Sequence, residues 1–109
     1  VSRLTSAMRV SALIRRAHQA GGSAMVLARG DETGGAILVL LLDRGENPRF
    51  RERGLGEAGK LIESGPAGLD SLGATEYWQR RRSRDPDLWV VEIDVADGDR
   101  LADETIAST

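Results

Sequence analysis

The segment AILVLLLD, from Ala36 to Asp43, places seven apolar residues in a row ahead of its first charge. A strand with one wet face alternates apolar and polar side chains, whereas an unbroken run has both faces covered. This segment therefore belongs near the centre of a sheet, and the rest of the chain must supply what covers it. Its length also falls well short of the ~20 residues that a membrane-spanning helix needs.

Two helices are expected to do the covering. In TSAMRVSALIRRAHQAGG, from Thr5 to Gly22, the residues Ala7, Val10, Leu13, Ile14, Ala17 and Ala20 fall within an arc of roughly 140°. Arg9, Arg15, Arg16 and Gln19 occupy the opposite side. Thr5 or Ser6 caps the start, and Gly21-Gly22 supplies a left-handed stop. The second helix lies in DSLGATEYWQRRRSR, from a start near Ser71 or Thr75, with Glu76 four residues ahead of Arg80 in the favourable order for an ion pair. Pro86 disfavours helical geometry at Asp85 and ends it.

The remaining strands are read around these elements. SAMVLAR (Ser23 to Arg29) is a short strand before the Gly30 to Gly35 loop. RGENP breaks the central strand, and RFRER (Arg49 to Arg53) alternates around Phe50 as a more exposed one. KLIES is a possible fourth, and LWVVEIDV is the last. In it Trp89, Val91, Ile93 and Val95 face the core, while Glu92 and Asp94 face a largely wet side. Short connections favour antiparallel pairing. The expected fold is a mixed α+β domain over residues 1–109: a small, largely antiparallel sheet of four to five strands packed with two main helices. Residues 97–109 form an acidic tail expected to fray.

Composition narrows the chemistry. Without Cys there is no disulfide, thiolate metal site or cysteine nucleophile. A single His, His18, removes the usual zinc sites, and its place near the end of the first helix reads as capping or solvent-facing. The residues Val1 to Ala20 carry scattered arginines and no unbroken apolar stretch, so no secretory leader and a cytoplasmic setting are expected. GLGEAG (Gly54, Gly56, Gly59) has dinucleotide-loop spacing, but a polar strand precedes it and too few residues follow for the crossover helix. GDETGG lacks the Lys and the helix of a P-loop, and Asp31 and Glu32 read as ordinary turn residues. Asp43, Glu57 and Lys60 faintly resemble a metal-dependent nuclease set, yet Glu57-x-x-Lys60 has the wrong spacing for one strand face. No catalytic residue, metal or cofactor is assigned.

Charge is the remaining signal. All but one of the basic residues are arginines; residues 1–30 carry five of them and no acid, while residues 85–109 carry eight acids and one arginine. Opposite poles of this kind attract within a chain or between copies. RRRSRDPDLWVVEID, from Arg80 to Asp94, concentrates the question. Arginines in a last helical turn meet the negative end of the macrodipole, and four acids from Asp85 to Asp94 answer the four cations Arg80, Arg81, Arg82 and Arg84. A phosphate site needs positive charge left over after such pairing. The preferred reading is therefore a helix stop, Asp85-Pro86-Asp87, followed by a core strand beginning at Trp89. Arg15, Arg16, Arg80, Arg81, Arg82 and Arg84 are kept as candidate anion or partner contacts.

VSALIRRA (Val10 to Ala17), RGD with GAILV (Arg29 to Asp31, Gly35 to Val39) and DPDLWVVEI (Asp85 to Ile93) together resemble the alphaproteobacterial domain-of-unknown-function family 1491. The resemblance implies a small α/β domain in a bacterial cytoplasm and brings no activity, cofactor or catalytic residue. Members of that family often have a Trp just before the VSA segment, where this chain has Arg9. The functional expectation is a non-catalytic interaction or adaptor domain, with a protein partner or self-association. The alternative is a nucleic-acid or anion-binding domain that uses Arg80 to Arg84. No membrane association is expected.

Overall fold

The computed structural model describes residues 4–54 and 61–107. Five strands form one sheet: β1 (Ser23–Ala28), β2 (Ile37–Asp43), β3 (Glu46–Arg53), β4 (Leu61–Ser64) and β5 (Trp89–Asp94), in the order β1-β5-β2-β3-β4. The apolar run is the middle strand. Its pairing with β5 is parallel, and the other three pairings are antiparallel. The alternation of strand side chains sends Ile37, Val39 and Leu41 into one core layer and Leu38 and Leu40 into the other. Both layers are dry at β2, which is why its sequence shows no polar period.

The first layer lies under α1 (Ser6–Gln19), whose Val10, Leu13 and Ala17 pack on Trp89, Val91 and Ile93. Thr5 caps this helix by accepting from the Met8 N–H at 3.1 Å. The loop at 31–35 satisfies more of its first turn, because the Ser6 and Ala7 amides donate to the Thr33 and Glu32 carbonyls. At the other end Gly21 is left-handed, with φ +85°. The Gly22 and Gly21 amides return to the Ala17 and His18 carbonyls, a Schellman stop.

The second layer lies under α2 (Ser71–Arg84), which Asp70 caps through the Gly73 N–H at 2.7 Å. Ala74 of this helix is buried against Phe50, Leu88 and Val90, with Tyr77 and Trp78 packed alongside.

Four expectations are corrected. Residues 98–107 do not fray: α3 (Gly98–Ala102) and a π-helical turn (Asp103–Ala107) bury Leu101, Ala102, Thr105, Ile106 and Ala107. Their apolar residues complete the layer under α1, and the high acid content concealed this. Arg9 is consequently buried rather than solvated, donating to the Ile106 carbonyl at 3.2 Å. The far side of β5 is not wet at its start, because Leu88 and Val90 are fully buried beneath α2. RGENP interrupts the sheet only at Arg44-Gly45, whose φ values of +52° and +80° make the two-residue turn of a tight hairpin. β3 accordingly begins at Glu46, paired with Asp43. The Asp94 carboxylate holds this turn by accepting from the Arg44 and Gly45 amides at 3.0 and 2.7 Å.

Candidate functional site: an apolar groove and the arginines around it

The candidate arginines do not converge. Arg15 and Arg16 belong to α1, and Arg80, Arg81, Arg82 and Arg84 to α2, on opposite faces of the sheet. Arg81 makes a bidentate pair with Glu52 of β3, both contacts at 2.7 Å, and also donates to the Tyr77 hydroxyl at 2.8 Å. Burial is the largest single influence on Glu52 and works against its ionised form, but the hydrogen bonds from Arg81 and Ser64 and the charge of Arg81 together outweigh it and hold the carboxyl below its ordinary value. Hydrogen bonding to Glu52 raises Arg81 in return. Arg82 donates to the Arg29 carbonyl at 2.8 Å. Arg16 bonds Thr105 and Glu104, the latter at 2.6 Å. Arg80, Arg84 and Arg15 are exposed. The helical pair expected between Glu76 and Arg80 is not among the ion pairs of the described residues.

A second arginine network ties the C-terminal segment to the sheet. Arg49 meets Asp99 at 2.7 Å and Glu63 at 3.2 Å, and Arg51 bridges Asp99 and Asp103. Hydrogen bonding from Arg49, ahead of burial, sets Asp99, whose carboxyl is held below its usual range. Arg53 donates to the Ala107 carbonyl, so with Arg9 two cations meet the negative end of the last helical turn.

Asp85, Pro86, Asp87 and Trp89 form a structural knot. Asp85 ends α2 and accepts from the Asp87 N–H at 3.1 Å. The Asp87 carbonyl accepts from the Asp31 N–H, and the Trp89 indole N–H donates to the Asp31 carbonyl at 2.7 Å. Gly30 and Gly35 both press on the Asp87 carbonyl, where a Cβ on either would overlap it. The Ser6 hydroxyl donates to the Gly35 carbonyl at 2.6 Å, and the Arg29 guanidinium lies 5.2 Å over the Trp89 ring. The regions of chain that carry the family resemblance thus meet one another through RGD, GAILV and DPDLW.

The concave site is elsewhere. Beneath the N-terminal half of α2 a groove of about 530 Å³ opens onto the sheet face. Leu27, Leu40, Leu42 and Glu92 line it from the strands, and Leu69, Ala74 and Trp78 from α2 and its approach. The hairpin residues Glu46 to Pro48 close one end. Among the described residues the lining holds three acids, Glu46, Asp70 and Glu92, and no basic side chain. Asp70 is occupied as the helix cap. The Glu92 carboxylate makes no hydrogen bond or ion pair among the described residues, although it stands on β5 between Met25 and Leu40. Met25, beside it, is 57% exposed, and Leu72 at the start of α2 is 68% exposed.

Neither Glu92 nor Glu52 was singled out from the sequence. An acid flanked by Val91 and Ile93, on a strand whose far face also buries Val90, was the available signal for Glu92. For Glu52 there was none, because its partner lies 29 positions away. Among the described residues no group of three or more His, Cys, Asp or Glu is placed to hold a metal ion, and no helix is long and apolar enough to cross a membrane. Gly56, Gly59, Glu57 and Lys60 lie outside the described residues.

The profile of a family described as protein of unknown function (DUF1491) matches residues 4–103. A crystal structure of a DUF1491 family protein from Caulobacter crescentus is similar at 32% identity and TM-score 0.78, over 91% of this chain and 94% of that one. An NMR structure of a DUF1491 family protein from the same organism gives 35% and 0.72, over 93% and 94%. A solution structure from A. tumefaciens gives 34% and 0.72, over 86% and 87%. A search of curated proteins finds no match.

Proposed function

The chain belongs to the DUF1491 family, and from that premise we propose that it is a non-catalytic interaction module of the bacterial cytoplasm that recognises another protein through the groove beside α2. The observation that carries this reading is the groove itself. It is apolar on most of its walls, has the exposed Met25 beside Glu92 on the same sheet face, and is supplied by Glu92 with a carboxylate that no described residue answers. Exposed apolar surface next to a concavity marks binding surfaces more often than it marks idle ones.

The charged faces contribute less than the sequence led one to expect. Arg16 and Arg81, two of the candidate contacts, are engaged with Glu104 and Glu52. A nucleic-acid or anion site at Arg80 to Arg84 would have to work with Arg80 and Arg84, while Arg81 stays paired and Arg82 holds the Arg29 carbonyl. Retention of DNA or RNA in a low-salt gel shift, lost on replacing Arg80 and Arg84, would favour that alternative.

The test of the interaction reading is site-specific photo-crosslinking in bacterial cells. A photoreactive residue in place of Met25 is expected to give a discrete protein adduct, and the same residue in place of Arg15 is not. Equal labelling from both positions, or none from either, counts against the reading.

A further inference from the structure

Two features of the same sheet face sharpen the identity of the partner. Glu92 is a carboxylate set between Met25 and Leu40 in an otherwise apolar row, unanswered by any described residue. Removing such a group from water costs free energy unless an opposite charge meets it. The second feature is β1. It is an edge strand with β5 as its one neighbour, and its sequence SAMVLA has no charge and no proline. Edge strands in soluble proteins are usually guarded by such residues or by bulges, and β1 carries a register shift only at its far end, between Val26 and Ala28, beyond Met25. Among the described residues no backbone hydrogen bond is made across its outer edge.

We infer that an extended segment of a partner protein adds to the free edge of β1 and carries an arginine or lysine whose charged head meets Glu92. This rests on the interaction reading above. The register supplies the reason for a long basic side chain. Met25 is the direct cross-strand neighbour of Glu92, so a residue opposite Met25 on an added strand shares the face of Glu92. Two strand spacings, about 10 Å, then separate its backbone from β5, a gap that an arginine and a glutamate side chain close together. The aliphatic stem crosses Met25, whose exposure leaves it free to be covered. Side chains alternate along a strand, so residues two positions from the basic one return to this face, and one of them falls near Leu27, at the register shift between Val26 and Ala28. The preferred segment therefore has an apolar residue two positions from its cation on the side of Leu27, and the other side, beside the exposed Ser23, sets no such requirement. Main-chain bonds supply affinity in such strand addition, and the alternate side chains supply specificity.

The experiment uses the full chain and the capped heptapeptide Thr-Leu-Thr-Arg-Thr-Leu-Thr, with binding read by titration calorimetry and by amide shifts in two-dimensional NMR. The same peptide with Gln in place of Arg, and phenethylamine as a free amine, are the comparison probes. Shifts are expected along β1 and around Glu92, with the Arg peptide binding about tenfold more tightly than the Gln peptide. Glu92→Gln, close to isosteric, should abolish that preference. The Arg-to-Gln comparison on the unaltered protein needs no variant at all. Equal binding of both peptides at β1 overturns the role of Glu92 and leaves the interaction reading standing. A preference that survives Glu92→Gln does the same. Phenethylamine binding as tightly as the Arg peptide, without shifts along β1, makes the groove a small-amine site. No binding of either peptide at millimolar concentration overturns both this inference and the groove as the interaction surface.

Discussion

Arg81 on α2 holds Glu52 on β3 through two hydrogen bonds of 2.7 Å, and so clamps the helix to the sheet from the side opposite α1. The side chains are 31% and 17% exposed, enough shielding for the pair to matter. Glu52 has a folded-state value below its ordinary 4.5, so its contribution is complete above that value. As pH falls through the depressed folded-state value, protonation removes it. Urea unfolding followed from neutral pH downward should show stability falling below about pH 4.5, and Glu52→Gln should reduce that slope. At neutral pH the variant should lose about 2 kcal/mol, because Arg81 is left half-buried without its counter-charge. An unchanged acid slope would mean that the clamp carries no stability.

The knot around Asp87 makes a different prediction, one about additivity. Gly30 and Gly35 approach the same carbonyl oxygen from two points of one loop. Gly30→Ala or Gly35→Ala should each cost about 2–3 kcal/mol, by forcing that carbonyl away from the Asp31 amide. Once it has moved, the second substitution has less left to disturb. The double variant should therefore fall short of the sum by about 1 kcal/mol or more. Trp89→Phe removes the indole donor to the Asp31 carbonyl and should cost about 1–2 kcal/mol. Denaturant midpoints of the four variants decide the matter, and strict additivity would show that the two glycines act on separate features.

These two cases show why some of the molecule was readable in its sequence and some was not. The central place of β2 followed from a local property, an apolar run with no period, and so did the α1 cap and its glycine stop. The helix stop at Asp85-Pro86 was equally local. The partners of the arginines were not. Arg81 lies 29 positions from Glu52 and Arg49 lies 50 from Asp99, and no periodicity encodes such pairings. Residues 98–107 misled for a related reason. Acids at Asp97, Asp99, Asp103 and Glu104 resemble a solvated tail until Arg49, Arg51, Arg16 and Arg100 are seen beside them. The groove needed three elements at once, and only the burial of Val90 next to Glu92 hinted at it.

The C-terminal turn is accordingly expected to be structural. Ile106 is 2% exposed in the layer under α1, and Ile106→Ala should cost about 2–4 kcal/mol. Removing residues 98 onward takes away Leu101, Ala102 and Ile106 together and leaves Arg49 and Arg51 without Asp99 and Asp103. That shortened chain should lack a cooperative unfolding transition. A truncated protein that melts cooperatively near the temperature of the full chain would return the segment to the status of a tail.

The hairpin between β2 and β3 offers a prediction of opposite sign. Arg44 is held at φ +52°, a region that costs a residue with a Cβ about 1 kcal/mol, and Gly45 follows at φ +80°. Two-residue turns with both central residues left-handed favour Asn-Gly, since Asn tolerates this region better than other side chains do. The Arg44 side chain makes no hydrogen bond or ion pair among the described residues, and Asp94 grips the turn through the backbone amide rather than the guanidinium. Arg44→Asn therefore relieves backbone strain and removes no side-chain contact. It should stabilise the protein by about 0.5–1 kcal/mol, read as a higher urea midpoint at unchanged slope. Arg44→Val is the matched control: a β-branched side chain at this φ should destabilise by at least as much. If both variants shift the midpoint the same way, the turn is not the source of the strain.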